Sequence, residues 1–275
     1  MPLKDLLVHV SSEQESEPAV DAALTLADQH DAHLTGLGIR PPIDMPTYAM
    51  ARLPDSVMEI LEERERDRLK AAKGMFETKV KQTGRESRSD WRTDSGIVDE
   101  VLGLHARYFD LVVSVQHNPD IEDQRFSTIA EDVLLSGGRP VLVVPHIGAP
   151  ATVGRKVIVA WNASREAARA VADAMPVLDS ADTAEIFIAG EQDIGDLPGA
   201  DIATHLARHG TDVEVYRAVV DDTSVGDTLL NRVADIGADL IVMGGYGRSR
   251  FREFILGGVT RHVLQHMTVP VLLSH

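Results

Sequence analysis

Residues 239–260 decide the fold of this chain, and they read DLIVMGGYGRSRFREFILGGVT. The stretch begins with the apolar segment Leu240–Met243, a pattern that predicts a buried strand. A glycine-rich turn follows at Gly244–Gly247, then a segment with three arginines, then Gly257-Gly258, where a helix is expected to begin. A strand, a glycine turn and a helix in this order are typical of the ligand-binding edge of an open parallel sheet.

The same stretch has the chemistry of an anion site. Glycine lets the backbone adopt positive φ and approach a ligand closely. Successive backbone N–H groups in such a turn form a concavity that binds anions, and a helix N-terminus adds free donors and partial positive charge. Arg248 would add a full positive charge. The spacing alone also fits a tight strand-to-helix loop that binds nothing.

Composition narrows the possible function classes. The 275 residues carry a formal net charge of −16, which argues against nonspecific binding to nucleic acid. There is no cysteine, so disulfides, thiolate metal sites and cysteine nucleophiles are excluded. No window has the roughly 18 consecutive apolar residues of a membrane span, and no apolar run fits a signal peptide. We therefore expect a soluble cytoplasmic protein.

The chain repeats itself once. DLVV at 110–113 is matched by DLIV at 239–242, and PVL at 140–142 is matched by PVL at 270–272. Each half alternates predicted strands and helices, an order that favours a parallel, doubly wound sheet. We therefore predict an α/β fold with two tandem domains, residues 1–147 and 148–275, joined in the loop 146–154.

Local signals set several element boundaries. Ser16 and Pro18 predict the start of the first helix, and 87–91 is predicted to be a strand followed by a helix over 95–107. In the second half, Ser224 and Asp227 have the spacing of a capping box. Gly237 is expected to end that helix.

The glycine spacing resembles a known family. Gly244-x2-Gly247-x9-Gly257 followed by a small residue is similar to the nucleotide motif of the universal stress protein family. With the repeat, nearly the whole chain resembles a tandem bacterial member. The resemblance implies a five-stranded parallel sheet flanked by helices in each half. It also implies that the halves pair like a dimer within one chain, with a homodimer as a further possibility.

The resemblance also implies a site for ATP or a related adenine nucleotide, with or without Mg²⁺. The base pocket would be formed by Ala160, Ala189 and Met243, with Asn162 near the adenosine. ATP-binding members usually have Asp at the position of Asn162 and Ser or Thr at that of Gly258. The implied binding residues are Ala160, Asn162, Ala189, Met243, Gly244, Gly247, Arg248, Gly257, Gly258, Val259 and Thr260.

Some of these residues have structural alternatives. Asn162, like Ser164, can serve to cap the next helix, and Trp161 can pack against a neighbouring loop instead of stacking on a base. Pairs of histidines four residues apart, His205/His209 and His262/His266, have metal-ligand spacing. No third ligand accompanies either pair, so no metal site is predicted.

The first half departs from the motif. Residues 115–118, VQHN, stand opposite the glycine turn, and the loop that follows carries Asp120, Glu122 and Asp123 instead of arginines. These carboxylates would repel phosphate. We expect the first half to bind no nucleotide through this motif, and either to bind another ligand or to act as a structural partner.

Three functions are compatible with the sequence. The first is a stress-response binding module that holds an adenine nucleotide in its second half. The second is a stress-linked protein-interaction module without nucleotide. The third is a weak ATP hydrolase or metal-dependent phosphatase, although the chain has no P-loop and no nucleophile elbow, and no catalytic residue is assigned.

Overall fold

A computed structural model describes residues 2–43, 54–118, 129–148, 150–190, 199–219, 224–246 and 258–275. We call residues 1–147 the N-terminal half and residues 148–275 the C-terminal half. The boundary between two domains at this point remains a prediction. None of the described helices is long and apolar enough to cross a lipid bilayer.

Strands and helices alternate in the N-terminal half. Its strands are β1 (Asp5–His9), β2 (His33–Arg40), β3 (Ser89–Ser95), β4 (Leu111–Val115) and β5 (Val141–Val144). Its helices are α1 (Glu13–His30), α2 (Asp55–Gln82), α3 (Val98–Ala106) and α4 (Ile129–Gly137), with a short 3₁₀ turn at Glu86–Arg88.

The C-terminal half repeats the alternation. Its strands are β6 (Lys156–Ala160), β7 (Thr183–Ala189), β8 (Val213–Ala218), β9 (Leu240–Gly244) and β10 (Val271–Ser274). Its described helices are α5 (Arg165–Leu178), α6 (Ala200–Arg208), α7 (Val225–Ile236) and α8 (Val259–His266). Ser224 caps α7 by accepting a hydrogen bond from the N–H of Asp227, and Gly237 ends that helix in the left-handed conformation, as predicted.

The ten strands of the described residues form one sheet in the order β3-β2-β1-β4-β5-β10-β9-β6-β7-β8. Within each half the pairs are parallel, which confirms the predicted α/β fold with a parallel sheet in each half. The halves join where β5 and β10 pair antiparallel, with Leu142 opposite Leu272. The strands of the two halves therefore run in opposite directions. The carboxyl ends of the strands in one half lie level with the amino ends of the strands in the other.

Helices cover both faces of the sheet. The first face packs against α1, α2, α5 and α6 and has a core that includes Val8, Phe76 and Val242. The second face packs against α3, α4, α7 and α8 and has a core that includes Ile158 and Ile241. Since consecutive side chains of a strand point to opposite faces, the strand register fixes which residues can share a site.

The predicted start of α1 is wrong. The helix begins at Glu13, and Ser12 is its N-cap because its side chain accepts a hydrogen bond from the N–H of Glu15. Ser16 is instead buried, and its hydroxyl accepts from the N–H of Ser11. Pro18 lies inside the helix near its first turn, where its missing N–H removes only one intrahelical bond.

The third strand and the next helix also differ from prediction. β3 covers Ser89–Ser95 rather than 87–91, and α3 begins at Val98 rather than at 95. β3 lies at the edge of the sheet, and most of its side chains are exposed. Edge strands carry polar residues that blunt further pairing, so the polar sequence SDWRTDS resembles a loop more than a strand.

Two aspartates that the repeat aligns have the same structural role. Asp110 precedes β4 and accepts hydrogen bonds from the N–H groups of Lys4 and Asp5, at 2.8 and 3.1 Å. Asp239 precedes β9 and is buried. Its carboxylate accepts from the N–H groups of Gly154, Arg155 and Lys156 at 2.9–3.1 Å. The Thr152 hydroxyl adds a bond at 2.6 Å. In each half, this carboxylate binds backbone N–H groups at the start of the first strand and so holds that strand beside the fourth.

This pair gives a stability test. Asp239→Ala should lower the free energy of unfolding by about 3 kcal/mol, because it leaves several buried donors without an acceptor. Asp110→Ala should cost only about 1 kcal/mol, because its two bonds are exposed to water. Urea unfolding of both variants measures the difference. Equal losses would show that burial of the Asp239 network contributes nothing extra.

Candidate functional site

The order of the strands reverses between β9 and β6. The chain leaves β6 toward β7 and β8, and then returns to place β9 on the other side of β6. The connections after β6 and β9 therefore diverge to opposite faces, since α5 packs on the first face and α8 on the second. A crevice opens at such a point, beyond the carboxyl ends of the two strands, and it is where open α/β sheets bind ligands.

The three residues expected to form a base pocket lie on one face. Ala160, the last residue of β6, stands opposite Met243 of β9. Ala189 ends the neighbouring strand β7. All three pack against the core of the second face, where Met243 is buried and the two alanines are half-buried. The side chain of Trp161 packs against the core of the opposite face, which favours a packing role for it.

Gly244 is required for packing. A Cβ atom at this position would lie 2.5 Å from the backbone N of Ala167 and from the backbone C of Glu166. From the sequence, Gly244 is expected to let the backbone approach a ligand. The structure gives it a different task, because its missing side chain lets the first turn of α5 lie directly on β9.

The turn after β9 is tied to the last strand. The N–H of Gly245 donates to the carbonyl of Ser274 at 2.9 Å, and the ring Nδ1 of His275 lies 3.1 Å from the Gly245 carbonyl oxygen. Tyr246 adopts a φ of 56°, in the left-handed region. The N–H of Gly245 is therefore used within the sheet, so the anion cradle expected over the whole glycine turn does not include it.

The N-terminus of α8 faces the same crevice. Gly258 is its N-cap and provides no side-chain hydrogen bond, and the first intrahelical bond runs from the N–H of His262 to the Gly258 carbonyl. The N–H groups of Val259, Thr260 and Arg261 come before His262 and therefore have no acceptor within the helix. Thr260 is buried, and its methyl lies 3.8 Å from the point where a Cβ of Gly245 would stand. The two ends of the predicted motif are thus adjacent.

Three of the predicted binding residues fall in a part of the chain that the structure does not describe. Gly247, Arg248 and Gly257 lie outside the described residues. Their expected contacts with phosphate remain predictions.

Asn162 and Ser164 shape the turn between β6 and α5. The side-chain oxygen of Asn162 accepts from the N–H of Ser164 at 3.1 Å, across Ala163, whose φ is 56°. The Ser164 hydroxyl then caps α5 by accepting from the N–H of Ala167, also at 3.1 Å. The capping role foreseen for this turn is therefore present. The Asn162 side chain is exposed and keeps its amide N–H₂ group for other contacts.

Glu166 was not foreseen as part of this region. Its side chain is buried in the first turn of α5, beside Gly244, and it pairs with Arg165. Burial raises the pKa of Glu166, but hydrogen bonds from Arg165, from its own backbone N–H and from Ser164 outweigh burial and hold the pKa below its usual value. The α5 N-terminus therefore already holds an anion. In the sequence, this arrangement is indicated by an acidic residue, Glu166, two positions after the capping serine, Ser164.

The histidine pairs have local roles. His262 lies 2.8 Å from Asp227 of α7, and the His266 ring bonds to the His262 carbonyl. Hydrogen bonds from Ser224 and then from His262 lower the pKa of Asp227. The rings of His205 and His209 make an edge contact at 4.9 Å. Within the described parts of the chain, no three metal-ligating side chains lie close enough together to hold an ion.

Comparisons with known proteins agree with the fold. Residues 154–275 match the model of the universal stress protein family. A universal stress protein from Archaeoglobus fulgidus DSM 4304 superposes with a TM-score of 0.75 at 16% identity, over 98% of this chain and 95% of that chain. A functionally unknown protein from Pseudomonas aeruginosa PAO1 superposes with a TM-score of 0.58 at 15% identity, over 99% and 92% of the two chains. Among curated proteins, none is significantly similar in sequence.

Two adjacent glycines, Gly244 at the end of β9 and Gly245 directly after it, allow a matched test. Gly244→Ala should lower the free energy of unfolding by about 2–3 kcal/mol, because the new Cβ meets the backbone of α5. Gly245→Ala should cost less than about 1 kcal/mol, because its new Cβ meets chiefly the flexible tip of Leu134, at 2.8 Å. Chemical unfolding of both variants checks this. A Gly244→Ala variant as stable as the parent protein would contradict the packing role.

Proposed function

We propose that the C-terminal half, whose residues 154–275 match the model of the universal stress protein family, binds ATP or a related adenine nucleotide. The nucleotide lies across the carboxyl ends of β6 and β9. Its phosphates bind at the N-terminus of α8, and its base occupies the slot at Ala160, Ala189 and Met243. The protein acts as a binding module, with the N-terminal half as its tandem partner domain.

The N-terminus of α8 is the observation that carries this proposal. Its first turn lies close to Gly245, directly after β9, and Gly258 gives it no side-chain cap. A helix N-terminus of this kind has free N–H donors and partial positive charge, which together favour phosphate. The N-terminus of α5, on the other side of the crevice, already holds the Glu166 carboxylate. Phosphate therefore has one favourable helix end here.

The apolar slot lies on the matching side. Ala160, Ala189 and Met243 share the sheet face that α8 covers, so a molecule with its phosphates on α8 can place its base against them. Small side chains at two of these three positions leave room for a flat ring. Asn162 can donate from its amide group to the ribose or the base, without the negative charge of an aspartate.

The proposed role is binding rather than turnover. Bound nucleotide stabilises the folded state and biases contacts with partner proteins, while Mg²⁺ accompanies the phosphates when ATP is bound. The alternative is a protein-interaction module without nucleotide. The absence of a hydroxyl at Gly258 favours that alternative, because one side-chain contact to phosphate is lost.

Val259 provides a direct test of the phosphate position. It is the first residue of α8 and is 37% exposed. Val259→Glu places a carboxylate at the helix N-terminus, where it should stabilise the helix by about 0.3–1 kcal/mol. The same charge should repel phosphate and weaken ATP binding by more than about tenfold. Calorimetric titration of purified, nucleotide-free protein with Mg-ATP measures the affinity.

Val259→Gln is the matched control, since it has the same shape without the charge. It should bind ATP with an affinity within about threefold of the parent protein, since no charge is added. If Val259→Glu and Val259→Gln bind ATP equally well, the phosphates do not lie at α8. If the parent protein shows no binding at millimolar Mg-ATP, the nucleotide proposal itself is wrong.

A further inference from the structure

The N-terminal half has a cavity at the position that corresponds to the crevice of the C-terminal half. It has a volume of about 380 Å³ and lies at the carboxyl ends of β1 and β4, the second place where the strand order reverses. Small-molecule sites in proteins have volumes of roughly 300–1,000 Å³, so the cavity suits a small ligand. Its polar lining includes His9, Glu15, Ser114, His117, Asn118 and His146.

Polar residues line this cavity where the C-terminal half has apolar ones. His9 ends β1 as Ala160 ends β6. Ser114 follows Asp110 by four residues, as Met243 follows Asp239. Both polar side chains are buried, with 3% of their surface exposed. The same scaffold therefore presents an imidazole and a hydroxyl where the other half presents two apolar side chains, those of Ala160 and Met243.

The cavity offers no good place for phosphate. Among its described lining residues none is lysine or arginine, and the one carboxylate belongs to Glu15. The first turn of α1 also carries Glu13, and Ser12 already satisfies the N–H of Glu15. Nearby Arg68 pairs with Glu65 and donates to the carbonyls of Ser11 and Ile39, so its charge is engaged.

Two polar groups of the lining, the His9 ring and the Ser114 hydroxyl, carry no charge at neutral pH. Burial, and then the nearby charge of Arg68, lower the pKa of His9 to about 4, so its ring is uncharged at neutral pH. Within the described residues, the Ser114 hydroxyl and the His117 ring have no protein hydrogen-bond partner. Val115 and Ile129 add apolar surface to the lining. The uncharged His9 ring, the Ser114 hydroxyl, the flat rings of the other histidines and some apolar surface together suit a planar, neutral molecule.

Gln116 makes one wall of the cavity rigid. It is buried, its Nε2 donates to the carbonyls of Leu264 and Gln265 at 2.7 and 3.2 Å, and its Oε1 accepts from the N–H of His146 at 3.2 Å. The His146 ring Nδ1 also lies 2.9 Å from that oxygen. The bonds of Gln116 fix the His146 ring against the end of α8, so this side of the cavity is preformed.

We propose that this cavity binds an uncharged nitrogen heterocycle, a free base or a nucleoside without phosphate. The ring of the ligand lies between the buried side chains of His9 and Ser114 on one side and the His117 side chain on the other. The polar edge of the ligand forms hydrogen bonds with Ser114 and His117. The two halves of the chain are then different sites: one accepts phosphate and the other excludes it. This inference does not depend on nucleotide binding in the C-terminal half.

The test uses the four common nucleosides, each compared with its own 5′-monophosphate. The full-length protein is titrated by calorimetry, and binding is located from the NMR signals of the histidine rings. At least one nucleoside should bind, shift the signals of His9 and His117, and bind at least tenfold more tightly than its monophosphate. If no nucleoside binds at 5 mM, or if a monophosphate binds the N-terminal cavity as well as its nucleoside does, the proposal is wrong.

Three variants locate the binding. Ser114→Leu fills the cavity and should abolish nucleoside binding. His117→Ala, at a half-buried position after β4, should weaken nucleoside binding at least fivefold. Because His117 lies outside the strand, this second variant keeps the test valid if Ser114→Leu fails to fold. Ala160→Leu crowds the base slot of the C-terminal half and should leave the nucleoside-induced shifts of the His9 and His117 signals unchanged. Binding lost in Ala160→Leu and kept in His117→Ala would place the nucleoside in the C-terminal half and overturn the proposal.

Discussion

The antiparallel pairing of β5 with β10 is the contact on which the arrangement of the whole molecule depends. Each half is a parallel sheet whose carboxyl ends can form one crevice, and the antiparallel junction places the two crevices at opposite edges of one ten-stranded sheet. Helix α8 contacts both halves, since its first turn lies close to Gly245 and its last carbonyls accept hydrogen bonds from Gln116. One short helix therefore borders both crevices.

The two halves share a scaffold and differ in the chemistry at its carboxyl edge. Asp110 and Asp239 bind the start of the first strand in their respective halves. Ser12 and Ser164 likewise cap the equivalent helices α1 and α5. Ala160 and Met243 leave an apolar slot in one half, whereas His9 and Ser114 line a polar cavity in the other. Because these side chains lie at the open ends of strands and not in the middle of the core, they can change without altering the fold.

Much of the fold could be predicted from local patterns. The capping box at Ser224 and the helix end at Gly237 were predicted correctly, because both signals act within a few residues of the chain. Local patterns failed where the cause lies elsewhere in the chain. The polar strand Ser89–Ser95 is held by pairing with β2, and Gln116 bonds to carbonyls about 150 residues away. The glycine spacing located the crevice, but it did not reveal that Gly244 serves close packing and that Glu166 occupies the neighbouring helix end.

The number of ATP molecules bound per chain tests the central claim, that only the C-terminal half accepts a phosphate-bearing nucleotide. Equilibrium dialysis of nucleotide-free protein against Mg-ATP up to millimolar concentration measures it. The account predicts saturation at one ATP per chain, because the described lining of the N-terminal cavity has no lysine or arginine and Ser12 already caps α1 beside it. Saturation at two would mean that the polar cavity of the N-terminal half accepts phosphate after all. No binding would mean that α8 and the apolar slot do not make a nucleotide site.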